Sequence, residues 1–282
     1  MLQETEFKIE NLQRLLIDID ITQSDSWVGV TGYLESEYAK QHEIPFGSHI
    51  NFGDKSYNLP KEMRNPFVRS INEKTALVLG VSKQYDENDQ RNAWITTSSG
   101  EVKANFSVGD AIEDIVITKD FVVVTYFDEA ACYGEGLVVF DFEGNQLFGY
   151  EELLGKESAA IYDCYAVVLV KENQIIFCSY TEFPLVLFDI ETKTQQVWET
   201  PAVVHGFSAI SKLADKIYFH HSYDDRFGIY AWQIGSKNAE KIGEHSNYFV
   251  RGLPNGKFLS RNDSGYSIIS PQQFFESLNF RV

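Results

Sequence analysis

Ile112-Glu113-Asp114-Ile115-Val116-Ile117, a Lys119-Asp120 turn and Phe121-Val122-Val123-Val124-Thr125-Tyr126-Phe127 read as a strand, a turn and a second strand. A loop over 128–136 leads to Leu137-Val138-Val139-Phe140-Asp141-Phe142, a Glu143-Gly144-Asn145 turn, and a fourth strand over 146–150. Near-continuous apolar runs mark strands covered on both faces. Gly144 supplies the positive φ that such a turn often needs. Four short strands joined this way are one antiparallel sheet.

The plan recurs. Strand runs at 67–71, 75–81, 92–97 and 101–108 precede it. Runs at 164–170, 175–180, 185–190 and 195–199 follow, then 207–213, 216–221, 228–234 and 239–243. Five times, at intervals of about 41 to 54 residues, an apolar run leads into a loop holding an aromatic beside acids. A period of that length built from short strands predicts an all-β fold, a β-propeller with one four-stranded antiparallel blade per unit. Six blades account for the chain. A seven-bladed alternative leaves too few residues for each.

The ends complete the ring. Runs at 248–253, 258–261 and 266–269 supply three strands of a last blade, and the alternating 6–10 supplies the fourth from the N-terminus. Closure by both chain ends removes an exposed sheet edge. The first blade begins at 15–21, and the poorly periodic 35–66 is expected to carry an insertion. Ser270, Pro271 and Gln273 fit the start of a short helix near 271–278. One domain spanning 1–282 is the expectation.

The segments 109–115, 126–129 and 136–145 resemble a group of bacterial β-propeller-like proteins with degenerate WD40- and YVTN-type repeats. The likeness covers one blade. No repeat carries the Gly-His and later Trp-Asp of a full WD40 signature. The resemblance implies a propeller and no activity.

Composition agrees. Aromatic residues reach 14% and the apolar fraction is 44%, with many of the residue types that suit pleated, half-buried surfaces. The net charge of −17 disfavours phosphate backbones and anionic membranes and favours a basic or neutral partner. No run approaches the ~18 apolar residues of a membrane helix. Residues 1–6 show no basic region with an apolar stretch behind it, so no secretory leader is predicted and a cytoplasmic monomer is expected. Cys132, Cys164 and Cys178 lack metal or disulfide spacing and read as buried thiols.

In such a fold the loop between second and third strands shares a face with the loop between blades. That face here is long, aromatic and charged, whereas the opposite turns are short. Loops on a rigid scaffold carry function. The candidate partner-binding residues are Tyr85, Asp86, Asp89, Tyr126, Asp128, Glu129, Tyr133, Glu135, Tyr180, Glu182, Tyr223, Asp224, Asp225 and Arg226. Tyrosines offer contact area at low entropic cost, and carboxylates select basic or hydroxyl-rich groups. The plainer reading is that each tyrosine packs between blades and each acid solvates a loop.

The expected function is a non-catalytic scaffold binding another protein, a basic one by charge. The alternative is a hydrolase or lyase acting on a sugar or small molecule through loop carboxylates around the channel. A calcium-dependent adhesive role through 86–89 ranks third, because an EF-hand's glycine and distal glutamate are missing. His220 and His221 are adjacent on a strand and should diverge, while His205 could meet either near the axis. A satisfied core or rim histidine is the simpler reading. No cofactor and no metal is predicted, and nucleic acid is excluded for want of basic patches.

Overall fold

β1 (Gln3–Lys8) is the first chain segment and the last strand of a sheet. The computed structural model describes residues 3–10, 14–22, 24–34, 44–81, 90–128, 134–247 and 249–271. Among them, strands form six four-stranded antiparallel sheets, the six-bladed β-propeller class. The seven-bladed alternative is thereby set aside. The sheets fall into two groups of three, described in turn.

The first group spans Glu10–Tyr150. Blade 1 holds β2 (Leu15–Ile21), β3 (Trp27–Tyr33), β4 (Phe46–Phe52) and β5 (Lys55–Arg64). Blade 2 holds β6 (Pro66–Asn72), β7 (Thr75–Gly80), β8 (Ala93–Thr97) and β9 (Val102–Phe106). Blade 3 holds β10 (Ile112–Ile117), β11 (Val122–Tyr126), β12 (Leu137–Phe140) and β13 (Gln146–Gly149). β11 and β12 are buried throughout, whereas β9 and β13 are largely exposed. The reason is positional: middle strands are covered on both faces, and the fourth strand is an edge. The 35–66 segment supplies two ladder strands, and its 35–43 portion lies outside the described residues.

One feature of this group was not anticipated. Arg69 on β6 is 5% exposed. Its guanidinium donates to Asp18 Oδ2 at 2.8 Å, to the Ile115 carbonyl at 3.1 Å, to the Val68 carbonyl at 2.7 Å and to Asp114 Oδ1. Asp18 also accepts the Val68 N–H at 2.9 Å, and Asp20 accepts the Ser70 N–H at 2.7 Å. Asp18, Arg69 and Asp114 sit on the first strands of three successive blades, so one buried cation ties them together. Burial opposes the charge; Asp114, Asp18 and Asp20 more than offset it, and the guanidinium pKa rises.

The second group spans Glu151–Val282 with Met1–Ile9. Blade 4 holds β14 (Asp163–Lys171), β15 (Gln174–Tyr180), β16 (Leu185–Asp189) and β17 (Thr194–Trp198). Blade 5 holds β18 (Ala209–Leu213), β19 (Lys216–His220), β20 (Gly228–Gln233) and β21 (Glu240–Glu244). Blade 6 is β22 (Val250–Leu253), β23 (Lys257–Asn262), β24 (Gly265–Ser270) and β1. β1 pairs β24 from Gln3 opposite Ser270 to Lys8 opposite Gly265, and Phe7 stacks on Tyr266 at 4.8 Å. A Cβ at Gly265 would sit 2.4 Å from the Phe7 carbonyl oxygen, so this closure needs glycine there.

One difference from the sequence reading stands out. Tyr150, expected at the end of a strand, begins a short helix α1 (Tyr150–Leu154). Its Glu151 carboxylate accepts the Ile161 N–H at 3.2 Å, which fixes the connection into blade 4. The expected helix near 271–278 falls outside the described residues except for Pro271. Cys164 and Cys178 are buried thiols on adjacent strands; Cys132 lies outside the described residues. No helix among the described residues is long and apolar enough to cross a membrane.

Candidate functional site

Blades 4 and 5 bring their long loops together around one ring. Phe183, in the loop after β15, has φ 50 and is buried at 2% exposure. Its carbonyl accepts the Thr200 hydroxyl at 2.7 Å. His205, in the segment between the blades, stacks on Phe183 at 4.9 Å. The Tyr223 N–H, from the loop after β19, donates to the His205 carbonyl at 3.0 Å. Three connections thus share one anchor, and the loop positions follow from main-chain bonds rather than from chance contact.

Three tyrosines stand around that anchor. The rings of Tyr165, Tyr180 and Tyr223 lie 5.0, 6.0 and 5.7 Å from Phe183 and at 83°, 79° and 82° to it. Tyr165 and Tyr180 are near-parallel at 6.2 Å, and Tyr165 meets Tyr223 edge-on. The Tyr165 and Tyr223 hydroxyls share a hydrogen bond of 2.8 Å. Tyr180 is 42% exposed and Tyr223 57%. Burial, and then the bond to Tyr223, push the Tyr165 phenol above its usual range. It therefore stays protonated and neutral at ordinary pH. The result is an ordered aromatic patch open to solvent.

Carboxylates flank it. Glu182 precedes Phe183 and Asp224 follows Tyr223, both exposed. Asp163 is the ladder partner of Tyr180 and its charge reaches Tyr165. Exposed Arg226 lies beside His221, whose pKa burial lowers; the Arg226 backbone bond to that ring opposes the shift and the Arg226 charge adds to it. Asp225 has a different task. It accepts from Tyr230 Oη at 2.9 Å and from Lys241 Nζ at 2.7 Å, and the Lys241 bond leads in holding its carboxyl below the usual range. It anchors the turn.

Of the predicted residues, Tyr180, Glu182, Tyr223 and Asp224 share this patch. Tyr126 is a correction: it is 1% exposed, and its hydroxyl donates to the Val108 carbonyl, so it packs in the core. Asp128 is exposed and Glu135 half-buried in blade 3, where the Glu135 side chain lies against Gly149. Tyr85, Asp86, Asp89, Glu129 and Tyr133 lie outside the described residues, as does the 86–89 calcium reading. His205 does not meet His220 or His221, the arrangement that the sequence left open beside the simpler reading of core or rim histidines. His205 stacks on Phe183, whereas His220 neighbours His221 at 6.4 Å and His245 at 6.2 Å. Among the described residues no group of three His, Cys, Asp or Glu is placed to hold a metal.

Tyr165, Phe183 and Gly206 were missed as site residues. Tyr165 interrupts an apolar strand with a polar-tipped ring, which is a usable signal. Gly206 gave none. It has φ +79, and a Cβ there would lie 2.4 Å from the Tyr223 ring. Gly206→Ala is expected to cost about 1–2 kcal/mol through backbone strain and to displace Tyr223. A urea midpoint and Tyr223 ring shifts equal to those of the parent protein would contradict this.

The fold has many solved counterparts. Virginiamycin B lyase from Staphylococcus aureus matches with a TM-score of 0.56 and 10% identity, over 96% of this chain and 99% of that one. The WD40 repeats of RRP9 match with 0.54 and 9%, over 96% and 99%. Hsv2 from Kluyveromyces lactis matches with 0.54 and 11%, over 88% and 71%. No family model and no curated protein matches the sequence. The fold is a β-propeller. Identities this low carry the architecture and no activity.

Proposed function

We propose that this protein is a non-catalytic scaffold that binds another protein through the loop face of blades 4 and 5. The observation that carries the reading is the exposed tyrosine patch at Tyr180 and Tyr223, held by buried Phe183. Large rigid rings on anchored loops suit a protein interface, because little entropy is lost on docking. The net charge of −17 and the flanking acids favour a basic partner. Propellers of the WD40 type among the structural counterparts are consistent with this. The lyase counterpart offers a second reading, but it rests on fold alone at 10% identity.

Replacing Tyr180 and Tyr223 together with alanine is expected to lower capture of the native partner at least tenfold while the free energy of unfolding in urea stays within about 1 kcal/mol of parent. Quantitative affinity capture from the source cells, with Glu191→Ala in the β16–β17 turn as the control, makes the comparison. Equal recovery of the same partners by the double variant would move the interface elsewhere.

A further inference from the structure

We propose that the tyrosine patch of blades 4 and 5 receives an arginine side chain of the partner. This deepens the scaffold reading and rests on it. Two chemical demands of a guanidinium are met in one place. The first is aromatic surface. Tyr180 and Tyr223 expose 42% and 57% of their area, and their orientation is set by Phe183, Tyr165 and the His205 carbonyl. A planar cation stacks on such rings, attracted by their electron-rich faces.

The second demand is charge. Glu182 and Asp224 are immediate neighbours of ring residues in the two loops, and both are exposed. Asp163 adds a charge close enough to act on Tyr165. A guanidinium resting on a tyrosine can send its remaining N–H groups to such carboxylates, and bidentate pairing favours Arg over the point charge of Lys. The flanking carboxylates repel an anion and attract a cation, and the phenolic hydroxyls of Tyr165 and Tyr223 bond each other. The ring faces remain as the available surface.

The chain makes this contact internally. Arg261 lies 4.1 Å from the ring centroid of Phe249, which is 55% exposed, and Arg69 lies 5.4 Å from that of Phe67. The first of these survives beside solvent, so stacking of this kind holds without a closed cage. The patch on blades 4 and 5 offers rings and acids to a partner's guanidinium in the same way.

The test uses the intact protein with tyrosine rings labelled for NMR. The probe is an acetyl-Gly-Arg-Gly amide peptide, compared with its citrulline counterpart, which is flat and polar but uncharged, and with its lysine counterpart. The expected result is saturable shifts of the Tyr180 and Tyr223 rings and binding of the arginine peptide about 2- to 30-fold tighter than of the citrulline one. Tyr180→Leu with Tyr223→Leu should remove that difference, whereas Glu191→Ala, an exposed acid in the β16–β17 turn of blade 4, should leave it. Equal binding of arginine and citrulline peptides, binding of lysine as tight as arginine, or no ring shift up to millimolar arginine peptide would each overturn the proposal. Partner capture that still depends on Tyr180 and Tyr223 would then keep the scaffold reading while removing arginine from it. Loss of the capture effect with arginine binding intact would do the reverse.

Discussion

Arg69→Ala is expected to destabilise the protein by about 3–5 kcal/mol, because it leaves Asp18 and Asp114 facing each other's charge with their cation gone. The guanidinium is nearly buried, and it also satisfies the Val68 and Ile115 carbonyls. All of those groups would lose a donor inside the fold, and an unsatisfied buried group costs its full desolvation. Arg69→Lys should recover only part of the loss, since an ammonium cannot span three strands as a planar fork does. Adding Asp18→Asn and Asp114→Asn to the alanine variant should restore much of the stability, because the stranded charges disappear with it. Lys103→Ala is the contrast. Its pair with Glu101 is 2.8 Å long, but both side chains are more than half exposed, so less than about 1 kcal/mol is expected. Urea unfolding followed by tryptophan fluorescence compares them. A loss below 1 kcal/mol in Arg69→Ala would mean that the three first strands are held by packing alone.

Acid should weaken the fold well before its carboxylates titrate. His220 is 1% exposed; its Nε2 faces the His245 carbonyl at 3.2 Å, and its Nδ1 has no hydrogen-bond partner among the described residues. Burial chiefly, with the nearby His245 and His221 rings adding to it, lowers its pKa from 6.5 to about 4, against the hydrogen bond to the His245 carbonyl and a smaller pull from Asp225. In the unfolded chain the ring takes its proton near pH 6.5. In the folded protein it must wait until about pH 4. The stabilising preference for neutral His220 is therefore whole above pH 6.5, declines as pH falls, and is gone at about pH 4. A difference of that size amounts to about 3 kcal/mol. His221, His245 and His49 are lowered chiefly by burial as well and add in the same direction. Asp141, Asp189 and Asp225 are also lowered, but as carboxylates they act below about pH 4. The interval from 6.5 to 4.5 thus belongs to the histidines. His220→Gln should unfold with a visibly flatter dependence on pH across that interval. An unchanged slope would place the acid sensitivity elsewhere.

Much of the architecture is written locally. Phe121 to Phe127 and Leu137 to Phe142 are legible as strands because apolar side chains without interruption have no use for a solvent face. Six units and closure by the N-terminal strand follow from counting such runs. Tyr150 was misread because a strand and the first residue of a helix look alike when one apolar residue ends a run. Arg69, Asp18 and Asp114 left a trace too: each is a charge inside the first strand of its blade, Arg69 alone in β6, Asp18 with Asp20 in β2 and Asp114 with Glu113 in β10. Their mutual contact spans about fifty residues of sequence, and no local rule connects them.

Tyr126 and Tyr180 show where sequence stops. Each ends the second strand of its blade and pairs with the first residue of the strand before, Ile112 in one case and Asp163 in the other. By pattern they are the same residue. The sequence alone settled that both exist at strand ends leading into long loops, since strand periodicity is a property of consecutive side chains. Tertiary structure alone decided that one is core and the other surface. The Val108 carbonyl sits where it can accept the Tyr126 hydroxyl and seal that ring inside, while Tyr165 and Phe183 brace Tyr180 from beside and leave it 42% exposed. Burial of a side chain is set by what distant segments lay over it, and that is a three-dimensional fact.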